Sequence, residues 1–319
     1  MSLLIKKPGI LTTVQDLGRL GWRRFGVNPN GPMDPVAARV ANILVGNDDN
    51  AALLEMHFPA AEIVFTNNTL FSICGGDLGA EIDGRRLPSW RAFRTEAGSS
   101  LRFEQKLDGE RCYLAVRGGF DIPPWLGSAS TNINAGIGGH HGRPLQAGDE
   151  LEVKPRDTNI VPSRFPAVSP SLLPRYSRFP TVRIIPGAEF EYLDGESHKS
   201  LLRQNFSISK TSNRMGFRLT GEALSLENPR EFISSAVCFG TVQLLPDGQL
   251  IILMSDQQTA GGYPRIAHVI SYDLPLVGQL GAGDKIALHM TDVAEAERLT
   301  IQFEKELSFL RVACKFAHR

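Results

Sequence analysis

The sequence predicts a mainly β protein made of two tandem β units with only a few helices. Its 319 residues suffice for about two domains. Short apolar segments separated by Gly, Asn, Asp and Pro recur in both halves, a spacing typical of β-barrels and β-sandwiches. The motifs LQAGDEL (145–151) and LGAGDKI (280–286) close the two halves in a similar way. We therefore expect two β domains, at residues 1–160 and 161–319.

The N-terminal part predicts a strand and then a helix. Residues 10–16 are rich in β-branched side chains and end in polar ones, which favours a strand. Asp34 followed by Pro35 is typical of a helix start, with a capping carboxylate and proline at the first helical position. Gly46 is suited to the end of that helix.

The rest of the first half predicts strands and one long polar loop. Short apolar strands are expected at 62–65, 70–74, 100–103, 112–116 and 150–153. Residues 126–143 are rich in Gly, Ser, Thr and Asn and have little to pack. Long loops in compact domains are often functional, although a mobile surface loop would have the same composition.

The second half follows a proline-rich segment at 155–180, which is the best linker candidate. Strands are expected at 182–185, 206–209, 217–219, 241–245 and 250–254, with a hairpin turn at Pro246-Asp247-Gly248. A final helix opens at Asp292 and Glu295 and runs to about residue 312.

The composition narrows the class of protein. Lys+Arg and Asp+Glu both number 34, so no global charge attracts nucleic acid or an anionic membrane. No apolar run approaches the ~20 residues that span a bilayer, and the N-terminal apolar run is too short for a signal peptide. The four cysteines are scattered, which favours a reducing compartment. We expect a cytoplasmic protein that binds neither nucleic acid nor membranes.

Several catalytic motifs are absent from the sequence. It contains no G-x-x-x-x-G-K-[ST] phosphate loop, no serine in a G-x-S-x-G elbow and no H-E-x-x-H metal motif. No Met-Lys pair marks a lysine for biotin attachment. We therefore expect no metal site and no biotin on this chain.

The strongest candidate site is the stretch SDQQTAGGYP at 255–264. It follows the apolar run 250–254 and abruptly supplies a carboxylate, amide, hydroxyl and phenol around two glycines, from Asp256, Gln258, Thr259, Tyr263 and Gly261-Gly262. Polar groups that leave a buried strand together favour a binding cleft. A well-bonded turn is the alternative.

Long blocks of the sequence resemble the biotin-dependent carboxyltransferase / allophanate-hydrolase-subunit-2 family, and within it the C-subunit group of prokaryotic 5-oxoprolinases. The blocks are ILTTVQDLGRLGW, GVNPNGPMDPVAARVANILVGN, YLAVRGGFDIPPWLGSAST, GIGGHHGRPLQAGDEL, TSNRMGFRLTG and DQQTAGGYPRIAHVI. The resemblance implies two cyclophilin-like β-barrels. It also implies a complex with the A and B subunits that opens the lactam of 5-oxoproline to glutamate with ATP as co-substrate. The hairpin LLPDGQLI (244–251) departs from the family's usual V-P-x-x-G-Q-P-I.

Under that resemblance, lactam opening needs donors for a phosphate or oxyanion and a carboxylate to act on water. Asp256 is expected as base or orienter, Arg214 as donor, and Gln258, Thr13 and Gln15 as substrate-positioning groups. Further substrate-binding candidates are Asp34, Gly118, Gly119, Ser128, Ser130, Thr131, Met215, Gly261, Gly262 and Tyr263. The alternatives are structural, since Arg214 could pair with a carboxylate, Thr13 could be a strand former and Asp34 a helix cap.

Three functions stay open from the sequence. The first is a 5-oxoprolinase subunit that is inactive alone, and the second a carboxyltransferase module of a biotin-dependent, urea-carboxylase-like enzyme. The third is a non-catalytic antagonist that binds a histidine-kinase inhibitor. We also expect residues 12–16 and 255–264 to line one cleft, because both are strand ends that turn polar.

Overall fold

The structure is a computed structural model that describes residues 1–155, 168–228 and 230–317. It divides into two compact units. The first comprises Met1–Arg19, Asn30–Pro174 and Glu304–Arg319, and the second comprises Leu20–Pro29 and Arg175–Phe303. The domain boundary expected at residues 160 and 161, and the middle of the expected linker (156–167), lie outside the described residues.

The first unit holds two antiparallel sheets. Its strands are β1 (Ser2–Lys7), β2 (Leu11–Gln15), β3 (Leu53–His57), β4 (Glu62–Phe65), β5 (Thr69–Asp77), β6 (Ala80–Ile82), β7 (Arg85–Arg86), β8 (Arg91–Thr95), β9 (Ser100–Phe103), β10 (Asp108–Val116) and β11 (Glu150–Glu152). One sheet has the six-strand order β11-β1-β4-β9-β6-β7, and the other has the five-strand order β2-β3-β10-β5-β8. A single buried apolar cluster takes side chains from both sheets, including Ile5, Phe65, Phe71 and Leu114.

Helix α1 (Pro35–Leu44) packs against β5 and β10 of the five-stranded sheet. It begins as the sequence predicts, because the Asp34 carboxylate accepts a hydrogen bond of 2.9 Å from the backbone N–H of Ala37. The buried residues Val40, Ile43 and Leu44 lie on its packed side.

The second unit is a closed seven-stranded barrel with the order β12-β19-β16-β17-β14-β13-β20. The strands of the second unit, in the barrel and outside it, are β12 (Thr181–Pro186), β13 (Asn205–Ile208), β14 (Gly216–Thr220), β15 (Ser235–Ala236), β16 (Thr241–Leu244), β17 (Leu250–Leu253), β18 (Ala260–Gly261), β19 (Arg265–Val269) and β20 (Lys285–Met290). The helices of this unit are α2 (Gly195–Arg203) and α3 (Leu274–Gly278). Strands β15 and β18 form a separate two-stranded sheet.

Helix α4 (Val293–Ala317) supplies residues to both units. Its residues from Glu304 onward belong to the first unit and bury Leu307, Leu310 and Cys314. Two arginine–carboxylate pairs fasten them there. Arg39 bonds Glu304 at 2.5 and 2.9 Å, and Arg311 bonds Asp49 at 2.7 and 3.1 Å.

The predicted fold class, mainly β with few helices, is confirmed. The predicted hairpin around Pro246-Asp247-Gly248 is formed by β16 and β17, which pair antiparallel. Helix α2 is an element that the sequence did not suggest. Asp194 caps it, and this short polar helix buries only Ser197 and Leu201. No helix in the described ranges is long and apolar enough to cross a bilayer.

Candidate functional site

The second unit carries a pocket of about 210 Å³ on the outer face of β14, β17 and β16. Side chains alternate between the faces of a strand. Phe217, Val242, Leu244, Leu250 and Ile252 fill the barrel interior, and their neighbours face the pocket. The pocket is lined by Thr211, Asn213, Met215, Gly216, Arg218, Gln243, Leu245, Ile251, Leu253, Gln258 and Tyr263. Strand pairing aligns this face, with Gly216 opposite Leu253 and Arg218 opposite Ile251.

Three residues proposed from the sequence line this pocket. Gln258 and Tyr263 come from the stretch 255–264, and Met215 comes from the segment that precedes β14. All three are exposed, Tyr263 by 45% and Met215 by 40%, so their side chains reach solvent at the mouth of the pocket. The stretch 255–264 therefore contributes to a concave surface, as the sequence indicates.

Gly261 and Gly262 lie beside the pocket, and Gly261 pairs with Ser235 between β18 and β15. Neither glycine has left-handed backbone geometry. Gly261 is needed for close approach, because a Cβ at that position would lie 2.8 Å from Gln243 Nε2.

Arg214 and Asp256 form a buried ion pair behind the pocket. Arg214 Nε donates to Asp256 Oδ2 at 2.9 Å and Nη2 donates to Oδ1 at 3.1 Å, while Nη2 also bonds Ser255 Oγ at 2.9 Å. The backbone N–H of Asp256 donates to the Arg214 carbonyl at 2.8 Å. The pair thus joins the segment before β14 to the segment after β17. The structure therefore shows the structural alternative raised for Arg214, in which this arginine pairs with a carboxylate.

Gln243 is a pocket residue that sequence reasoning missed. It is fully buried on β16, where its Nε2 donates to the Tyr263 carbonyl at 3.0 Å. Its Oε1 is buried and accepts no hydrogen bond from the residues that the structure describes. The register of β16 against β19 shifts between Val242 and Gln243, and such bulges redirect side chains. The available signal was a glutamine inside the apolar run TVQLL (241–245).

In the first unit, the candidate serines converge on Asp16, which the sequence reasoning did not single out. Asp16 Oδ1 accepts from Ser128 Oγ at 2.5 Å and from Ser130 Oγ at 2.7 Å, and Oδ2 accepts from the Ala129 N–H at 2.6 Å. The Gly18 N–H also donates to Oδ1 at 2.9 Å. These buried bonds attach the start of the loop 126–143 to the end of β2.

Thr13, Gln15 and Thr131 surround the same strand end. Thr131 Oγ1 donates to the Val14 carbonyl at 2.8 Å. Gln15 Nε2 donates to Thr13 Oγ1 at 3.0 Å, and both residues are almost completely buried. Gln15 Oε1 is a second buried acceptor with no partner in the described chain. Gln15 lies in the first unit and Asp256 in the second, and their shared cleft stays a prediction.

The remaining candidates in the first unit have bonds within the chain. The Gly118 N–H donates to Asn47 Oδ1 at 2.8 Å and the Gly119 N–H to the Val116 carbonyl at 2.9 Å. Asp34 caps α1. The structure therefore brings together the candidates on the barrel of the second unit and, separately, those around the end of β2. The roles assigned to all these residues stay predictions.

Cys238, which precedes β16, lies beside Thr241 and His268, an arrangement that the sequence did not indicate. Cys238 Sγ is 3.4 Å from Thr241 Oγ1, which is 3.2 Å from His268 Nδ1. The hydrogen bond to His268, followed by the one to Thr241, lowers the pKa of the Cys238 thiol below its usual value. Burial raises the pKa of Cys74, Cys112 and Cys314. Within the described residues no group of three or more His, Cys, Asp or Glu is arranged to hold a metal ion.

Comparison with known proteins decides the family. The family model "Carboxyltransferase domain, subdomain A and B" matches residues 25–290. The chain belongs to this carboxyltransferase-domain family. Among its relatives are the C subunits of two 5-oxoprolinases. That of Haemophilus influenzae is 36% identical over 94% of both chains, and that of Escherichia coli is 36% identical over 98% of this chain and 97% of the relative.

The family fold is also seen in larger proteins. The crystal structure of the K. lactis urea amidolyase matches 97% of this carboxyltransferase-domain chain with a TM-score of 0.90 at 27% identity. This chain covers 20% of that protein, which is therefore far longer. The same fold thus occurs in relatives of about this length and within a far longer chain.

Proposed function

We propose that this chain is the C subunit of an ATP-dependent 5-oxoprolinase, and that it acts with the A and B subunits to hydrolyse 5-oxo-L-proline to L-glutamate. The observation that carries the proposal is the similarity, at 36% identity and nearly full length, to the C subunits of two 5-oxoprolinases. The pocket beside residues 255–264 suits a small amide, because the polar groups that line it include three side-chain amides and a phenol.

The chemistry of the proposal follows from the weakness of the lactam carbonyl as an electrophile. Transfer of the γ-phosphoryl group of ATP to the lactam oxygen, with release of ADP, would make the ring carbon susceptible to water, whose addition breaks the ring C–N bond and releases phosphate. In this chain Gln243, Gln258 and Tyr263 would bind the ring, since they line the pocket. ATP is a co-substrate of the complex, and the proposal places no nucleotide site and no biotin in this chain.

Arg214 and Asp256 take a positioning role in this proposal. Asp256 is held by two hydrogen bonds from Arg214, and the pair joins the segments that carry Met215 and Gln258. This favours Asp256 as an orienter over Asp256 as a freely accessible base. The base that activates water is then to be sought among the partner subunits, and this chain alone is expected to be inactive.

The proposal is tested by producing the chain with and without the A and B subunits in a host that lacks its own 5-oxoprolinase. We expect 5-oxoproline-dependent ATP hydrolysis and glutamate release only from the three-chain preparation. Omission of this chain should abolish both, and adding it back should restore both. Unchanged activity in its absence would contradict the proposal, as would robust hydrolysis by this chain alone.

A second candidate function is carboxyl transfer in a urea-carboxylase-like enzyme, which the structural match to the K. lactis urea amidolyase favours. Carboxybiotin would then arrive on another chain as the carboxyl donor. The substrates distinguish the two functions. Carboxyl transfer requires bicarbonate, a biotin carrier and urea as acceptor, whereas the proposed hydrolysis requires 5-oxoproline. An antagonist of a kinase inhibitor, in contrast, would bind that protein without turning over either small molecule.

A further inference from the structure

The buried amide of Gln243 has a fixed orientation and an unused acceptor. Its Nε2 donates to the backbone carbonyl of Tyr263 at 3.0 Å. Rotation of the amide by half a turn would place Oε1 against that carbonyl oxygen, and two acceptors repel. Oε1 is therefore held as an acceptor, and it receives no hydrogen bond from the described parts of the chain.

An unpaired buried acceptor is costly, typically about 1–3 kcal/mol. Gln243 lies where the pairing of β16 with β19 shifts register and where residue 261 has no side chain. An apolar side chain at position 243 would avoid the cost of an unpaired acceptor, as the side chain of Ile251, its pairing partner on β17, does. A ligand that supplied the missing donor would offset this cost.

A second amide lies across the gap left by Gly261. The point that a Cβ of residue 261 would occupy is 3.4 Å from Gln243 Oε1 and 3.4 Å from Gln258 Nε2. Gln243 Oε1 is a fixed acceptor there, and the exposed amide of Gln258 can turn its Nε2 donor toward the same place. Gln258 and Tyr263 are exposed at the rim, so rotation of their side chains can open the gap to a ligand.

We infer that Gln243 and Gln258 together recognise a cis amide, with the ligand N–H donating to Gln243 Oε1 and the ligand carbonyl accepting from Gln258 Nε2. Lactams, ureas and primary amides present N–H and C=O on the same edge. A trans secondary amide, as in a peptide, presents them on opposite edges and cannot meet both partners. The inference deepens the proposed function, on which it rests for the choice of 5-oxoproline as the first ligand.

The inference is tested by calorimetric titration of the full chain, alone and in complex with the A and B subunits, without ATP. The ligands are 5-oxoproline, its N-methyl derivative, the corresponding γ-lactone acid, urea, acetamide and the trans amide N-methylacetamide. We expect the N-methyl and lactone compounds to bind at least about tenfold more weakly than 5-oxoproline, since each leaves Gln243 Oε1 without a donor.

The variant Gln243→Met keeps the length of the side chain and removes the acceptor. It should lose affinity for 5-oxoproline and bind the lactam and the lactone equally. Gln302→Met, on the exposed surface of α4, is the matched control and should keep the wild-type preference. The ligand series on the wild-type protein decides the question even if Gln243→Met fails to fold.

The outcomes separate this inference from the proposed function. Binding of urea or acetamide with the same Gln243 dependence, but no binding of 5-oxoproline, would support the inference and contradict the proposed substrate. Equal affinity for lactam and lactone, a preference that survives Gln243→Met, equal binding of N-methylacetamide, or no binding of any cis amide would each overturn the inference.

Discussion

The guanidinium of Arg214 and the carboxylate of Asp256 face each other through two hydrogen bonds, with both side chains less than a tenth exposed. An ion pair at this depth differs from a surface pair, because removing one member leaves the other charge buried. Any change in activity caused by substituting Asp256 therefore has to be separated from a change in stability.

The first prediction concerns that pair. Asp256→Asn should lower the free energy of unfolding by about 3–5 kcal/mol, because the Arg214 charge stays buried without its carboxylate. Asp247→Asn, in the exposed turn of the β16–β17 hairpin, is the control and should change stability by less than about 0.5 kcal/mol. Urea unfolding measures both. A wild-type unfolding midpoint for Asp256→Asn would show that the pair is not structurally important.

The second prediction concerns Asp16. Asp16→Ala should loosen the attachment of the start of loop 126–143 to β2 and cost about 1–3 kcal/mol for each buried donor left unpaired, at Ser128 and Ala129, while Ser130 Oγ keeps the Asp16 backbone carbonyl as acceptor. Limited proteolysis should then cut this loop faster than in the wild type. Asp121→Ala, at an exposed aspartate, should leave the cleavage pattern unchanged. Equal cleavage of the two variants would contradict this account of the loop.

The third prediction concerns pH and Glu62. Hydrogen bonds from Lys7 and Lys6, with the nearby charge of Arg102, lower the pKa of Glu62 from 4.5 to about 2. A lowered folded-state pKa gives stability that is present above the unfolded pKa and is lost as the pH falls through the folded pKa. At neutral pH the wild type should therefore have a higher melting temperature than Glu62→Gln.

The difference in melting temperature between the wild type and Glu62→Gln should close as the pH falls from 4.5 to about 2. Glu152→Gln, at an exposed position on β11 of the same sheet, serves as the control and should show a smaller change over that range. A melting-temperature difference between wild type and Glu62→Gln that is constant with pH would contradict the assigned pKa.

The fourth prediction concerns the reactivity of the thiols. Cys238 should be alkylated by iodoacetamide at a lower pH than an ordinary cysteine, because the hydrogen bonds to His268 and Thr241 lower its pKa. Burial raises the pKa of Cys314 to about 12, so that thiol should react only after unfolding. Thr241→Val should shift the labelling of Cys238 to higher pH. Peptide mass spectrometry follows each site, and equal labelling of Cys238 and Cys314 in the folded protein would refute the prediction.

Local pattern was enough for about half of the strands and for one side of the pocket. The predicted strands at 62–65 and 100–103 coincide with β4 and β9, and Gln258 and Tyr263 line the pocket. Such features depend on neighbouring residues, which a sequence displays directly.

The missed features depend on contacts between distant residues. Asp16 is defined by serines more than a hundred positions away, and Gln243 by the carbonyl of Tyr263 and by a bulge in strand pairing. Helix α2 was missed for a different reason, because it is short and polar and buries only Ser197 and Leu201. Sequence reasoning therefore found where polar groups leave a strand but not which of them bond each other.

The division of α4 between the units affects the order in which the protein can be completed. The first unit contains residues up to Pro174 but also Glu304–Arg319, and the arginine–carboxylate pairs of Arg39 and Asp49 require that last segment. On the ribosome, the unit that is synthesised first is consequently the last to acquire all its contacts. A nonsense mutation near the end of the gene would thus damage the half of the molecule encoded at its beginning.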